Sequence, residues 1–153
     1  MKATIQGSMI SYDDYGCGPA VVLIHDSAQP ASAWKNEVIK LKEEGYRVIV
    51  PEIRREVKSS DAFDVHSISF LKSIIGLMNY LGIGKSVMVS LQEGSGLLRE
   101  ALRKYPGRLA GVCRVVVSND IENNESDSSL QSIKAESKED VSVRLKEFLS
   151  QLN

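Results

Sequence analysis

The sequence predicts an α/β domain of three layers, in which a mostly parallel sheet of about six strands is covered by helices on both faces. Four short apolar runs are typical of strands buried on both faces, and they occupy residues 20–24, 46–50, 86–91 and 109–117. Segments with helical spacing of apolar residues alternate with these runs. This alternation indicates parallel strands that are joined by crossover helices.

A hairpin and helices are expected around these strands. A short hairpin is expected at residues 3–5 and 9–12, because Gly7 and Ser8 separate two strand-like segments. Helices are expected at residues 34–44, 65–81, 94–105 and 139–152, where apolar side chains recur every three or four positions. Gly45, Gly82 and Pro106 mark the ends of the first three helices.

Composition and charge exclude several classes of partner. The 153 residues include 19 basic and 20 acidic side chains, so a net charge of −1 gives no reason to expect nucleic acid or an acidic membrane. No apolar run approaches the roughly 18 residues of a membrane span. Cys17 and Cys113 form no CxxC motif and are interpreted as two reduced thiols, which predicts a cytoplasmic protein. The sequence has neither a GxxxxGK[ST] loop nor a His/Cys cluster with metal spacing, so neither a cofactor nor a metal is expected.

Several segments, taken in order, resemble the α/β-hydrolase superfamily, in its lipase, esterase and dehalogenase-like branch. They are DYGCGPAVVLIHD, SAWKNEVIKLKEEGYRVIVPEIRR, LMNYLGIGKSVMVS, GLLREALRKYPGRLAGV and the closing EDVSVRLKEFLSQLN. The resemblance covers about residues 5–117 and the last helix. It implies a shortened α/β-hydrolase fold, a single domain of residues 1–153. In this domain a polar loop, residues 118–137, replaces the lid and the last strands, and we expect that loop to be mobile.

The resemblance also leads to a prediction about assembly. In that fold the strand corresponding to residues 111–117 is internal, but the polar segment after it predicts no further strand. An open apolar edge recruits another chain. We therefore expect a homo-oligomer, a twofold dimer through residues 111–117, in which Arg114 is the one charge opposing the pairing.

The expected site lies where the parallel strands end. Ligands of open α/β sheets bind beyond the carboxyl ends of the strands. That rule brings together the loops after residues 24 and 91, and a small molecule is the expected ligand. The residues predicted to line this crevice are His25, Asp26, Ser27, Gln92 and Glu93.

The family's nucleophile elbow, Gly-x-nucleophile-x-Gly, falls here on SLQEG, residues 90–94. The resemblance thus places Gln92 at the nucleophile position, and the backbone N–H groups of Ser27 and Glu93 at the oxyanion hole. A primary amide cannot form an acyl-enzyme, so no catalytic residue is assigned. Ser90 and Ser95 are alternative nucleophiles, although neither occupies the apex of the turn.

The remaining members of a catalytic triad have no clear counterpart. His25 resembles a structural histidine of the first turn, and His66 is interpreted as a solvated or capping residue. Asp120 follows a strand as a catalytic acid would, but it has no histidine to orient. A dinucleotide fingerprint at Gly94 and Gly96 is weak, since Arg99 stands where the third glycine belongs.

Two functions follow from this interpretation. The first is a degenerate α/β-hydrolase-fold protein without a Ser-His-Asp triad, a pseudoenzyme that serves as a binding or interaction module. The alternative is an esterase-like hydrolase with weak or non-standard catalytic residues, in which Glu93 or Glu52 acts as the base.

Overall fold

The computed structural model describes residues 1–25, 34–52, 63–91, 95–117, 131–135 and 138–152. Within these ranges, seven strands form one sheet in the order β1-β2-β4-β3-β5-β6-β7. The strands are β1 (Lys2–Ile5), β2 (Ser8–Tyr15), β3 (Ala20–Ile24), β4 (Arg47–Pro51), β5 (Ser86–Leu91), β6 (Leu109–Val117) and β7 (Gln131–Ala135). β1 and β2 pair antiparallel with their neighbours, and every other pairing is parallel.

The α-helices in the described part of the chain cover the sheet, and they are α1 (Lys35–Glu43), α2 (Phe63–Tyr80), α3 (Ser95–Lys104) and α4 (Lys138–Gln151). α1 and α4 bury their apolar residues in one cluster, and α2 and α3 contribute to another. Within β3, Val21 and Leu23 belong to the first cluster while Val22 and Ile24 belong to the second. The uninterrupted apolar run of β3 therefore reflects burial on both faces, as predicted from the sequence.

The hairpin is longer than the sequence indicated. Residues 13–15 were expected to belong to a loop, but β2 continues to Tyr15 and pairs with β4, with Asp14 opposite Ile49. Two consecutive aspartates disfavour a strand by propensity. The pairing is supported by Arg47, which bonds both carboxylate oxygens of Asp14.

The prediction that the whole of 118–137 is a loop was wrong for residues 131–135. These residues form β7, which pairs in parallel with β6 from Cys113 opposite Gln131 to Val117 opposite Ala135. The segment QSIKA has a single β-branched apolar residue, so its sequence lacks the signal of a buried strand. Residues 118–130 and 136–137 lie outside the described part of the chain, so the expected mobility of that segment stays a prediction.

The same pairing overturns the reason given for a dimer through residues 111–117. β6 lies between β5 and β7, so its backbone groups are paired on both sides. Among the described strands, the outer one on this side of the sheet is β7. Any pairing between two copies through this side would therefore use β7 and not the predicted strand.

Candidate functional site

The predicted crevice lies at the edge where the parallel strands end. β3 ends at Ile24, β4 at Pro51 and β5 at Leu91, and the shared register brings these ends to one side of the sheet. Of the five residues predicted to line the crevice, the structure describes only His25. Asp26, Ser27, Gln92 and Glu93 lie outside the described residues, so their predicted places are untested.

His25 follows β3 directly and is 5% exposed. The His25 side chain also has an interaction partner in the folded chain. A buried imidazole with an interaction partner agrees with the packing or hydrogen-bonding role that the sequence indicated. His66 falls within α2, but its side chain lies outside the described part of the chain.

The structure defines the strand end and the helix start on either side of the predicted nucleophile position. β5 ends at Leu91 and α3 begins at Ser95, so the three intervening residues are Gln92, Glu93 and Gly94. A nucleophile elbow likewise connects the end of a strand to the start of a helix. The structure thus confirms the predicted strand before these three residues and the predicted helix after them.

The two alternative serines both lie outside that turn. Ser90 is fully buried within β5, at 0% exposure, and it has a partner. Ser95 is the first residue of α3. A nucleophile needs access to a substrate carbonyl, and a hydroxyl that is enclosed in the sheet lacks this access.

Glu52, an alternative base, is exposed directly after β4. Its backbone N–H donates to the carbonyl oxygen of Ser11 at 2.9 Å, which fixes the chain at this edge of the sheet. Asp120, the alternative acid, lies outside the described residues.

Ile24, Ser90 and Arg114 lie side by side on three neighbouring strands near this edge of the sheet. Ser90 stands opposite Ile24 of β3 on one side and opposite Arg114 of β6 on the other. Ile24 is the last residue of β3, so Arg114 lies level with the carboxyl end of the central strands. Sequence reasoning treated Arg114 only as an edge charge.

A pair of polar side chains is buried on the face of the sheet that α1 and α4 cover. Glu37 and Ser142 are 4% and 3% exposed, and the Ser142 Oγ lies 3.4 Å from the Glu37 Oε1. Trp34 precedes α1 and is also buried, and its Nε1–H has no hydrogen-bond acceptor among the described residues. The sequence analysis missed Glu37 and Ser142. The available signal was that Glu37 falls on the apolar stripe shared by Trp34 and Leu41.

No protein-family model matches the chain. The chain is 32% identical over 99 residues to a protein of Synechocystis sp. that is named as a non-heme chloroperoxidase, covering 63% of this chain and 35% of that protein. It is 27% identical over 104 residues to epoxide hydrolase A of Mycobacterium tuberculosis, covering 65% of this chain and 32% of that enzyme. The crystal structure of an epoxide hydrolase from Vigna radiata superposes with a TM-score of 0.66 and 19% identity, covering 81% of this chain and 42% of that chain.

These sequence and structural matches point to the α/β-hydrolase superfamily, so the resemblance noted in the sequence is confirmed. The shortened, mostly parallel α/β fold is confirmed as well. The chain spans about a third of the length of the two curated relatives. In the part of the chain that the structure describes, no helix is long and apolar enough to cross a membrane.

Proposed function

We propose that this α/β-hydrolase-fold chain is a ligand-binding module that does not act as a serine hydrolase. The proposal rests on the residues that connect β5 to α3. These are Gln92, Glu93 and Gly94, and none of them has a side-chain hydroxyl or thiol. Acyl transfer in this superfamily needs an activated nucleophile at that place, and an amide side chain cannot serve as one.

The buried positions of nearby residues support the same proposal. Ser90 is enclosed in β5, and His25 is enclosed at the end of β3. A general base must reach the proton that it removes, either directly or through one water molecule. Ser90 and His25 therefore do not provide a serine–histidine pair that a substrate could reach.

A second candidate function is weak hydrolysis through a carboxylate. It is favoured by the names of the relatives, since epoxide hydrolases are prominent among the sequence and structural matches. In this case Glu93 or Glu52 would act as the base. Both carboxylates follow strands that end at the crevice edge.

We also propose a cytoplasmic location. Cys17 is exposed, Cys113 is buried in β6, and no disulfide joins them. Unbridged cysteines, one of them at the surface, are typical of proteins in a reducing compartment.

A substrate panel tests the two functions against each other. Short- and medium-chain p-nitrophenyl esters and styrene oxide are incubated with the wild-type chain and with Glu93→Gln and Glu52→Gln. The proposal predicts no turnover above the buffer rate for any of the three proteins. Turnover that is lost in one carboxylate variant would establish the alternative and name its base.

A further inference from the structure

We draw no further inference here: the strongest candidate, the buried side-chain cluster of Trp34, Glu37 and Ser142 on the face of the sheet that α1 and α4 cover, is held by contacts within the fold, and nothing in the described part of the chain shows a path by which a ligand would reach it.

Discussion

Arg47 holds both carboxylate oxygens of Asp14: its Nε lies 3.0 Å from Oδ1 and its Nη2 lies 2.8 Å from Oδ2. The same guanidinium donates through Nη1 to the carbonyl oxygen of Leu81, at 3.4 Å. One side chain therefore joins β2, β4 and the end of α2. The hydrogen bond to Asp14 also raises the pKa of Arg47 above its ordinary value.

Replacing Arg47 with lysine should lower the free energy of unfolding by about 1–2 kcal/mol, because a single ammonium cannot make the paired contact with Asp14. Urea denaturation measures this loss. Arg103→Lys is the control, because the Arg103–Glu100 pair is exposed on α3 and its loss should change stability less than the loss of the Arg47–Asp14 contact. If the two variants lost the same free energy of unfolding, the Arg47–Asp14 contact between β2 and β4 would stabilise the fold no more than an exposed ion pair does.

Tyr12 should make stability depend on alkaline pH. Burial raises its pKa above the ordinary value of 10.0, and the nearby Tyr80 and Asp14 raise it further. Because the folded state holds this proton more tightly, the stabilisation is complete below pH 10.0 and is lost as pH rises through the folded pKa. Urea denaturation between about pH 9 and pH 11 should therefore show a steeper loss for the wild type than for Tyr12→Phe. Tyr15→Phe, at an exposed position of the same strand, should follow the wild type; parallel curves for all three proteins would refute the assignment.

Gly18 should tolerate no side chain. Its φ of +118° disfavours other residues, and an added Cβ would collide with the carbonyl oxygen of Gly45. We expect Gly18→Ala to cost roughly 3 kcal/mol or more, from backbone strain and overpacking together. Gly7→Ala is the control, since Gly7 has a φ of +83° but no described atom within 4 Å of an added Cβ, and it should cost only about 1 kcal/mol. Thermal or urea denaturation that ranks the two variants equally would contradict the predicted clash.

Self-association remains a proposal, and β7 is now the strand through which it would occur. Two copies could pair their β7 strands antiparallel about a twofold axis. Light scattering at high micromolar concentration should then give the mass of a dimer. Successive residues of β7 direct their N–H groups to opposite sides, so of Ser132→Pro and Ile133→Pro one should weaken the pairing with β6 and the other should dissociate the dimer. A monomeric mass for the wild-type chain would end this proposal.

The order of elements could be predicted because each buried strand contains a short, mainly apolar run. The four runs that predicted strands correspond to β3, β4, β5 and β6. β7 could not be predicted, because QSIKA carries little apolar signal. The extension of β2 through Asp13 and Asp14 was missed for a different reason. It depends on a contact with Arg47, which is 33 residues away in the sequence, and no local pattern contains that contact.

The strand ends that define the candidate site were predictable, but the polar side chains near them were not. The rule for parallel sheets places the crevice after β3 and β5, and these strands end at Ile24 and Leu91 as the sequence predicted. Arg114 was taken for an edge charge because β7 was not foreseen. Glu37 was not singled out from the sequence, because its burial depends on α4, which packs on it through Ser142.

The most direct test of the central claim is a serine-reactive fluorophosphonate probe, with the mass of the intact protein as the readout. The predicted assignment of Gln92 to the nucleophile position and the burial of Ser90 lead us to expect no covalent adduct on the wild-type chain, while an active serine esterase in parallel is fully labelled. Gln92→Ser should gain no ester turnover, because restoring the hydroxyl supplies no histidine to act as its base. Stoichiometric labelling of the wild-type chain at any serine would contradict the account.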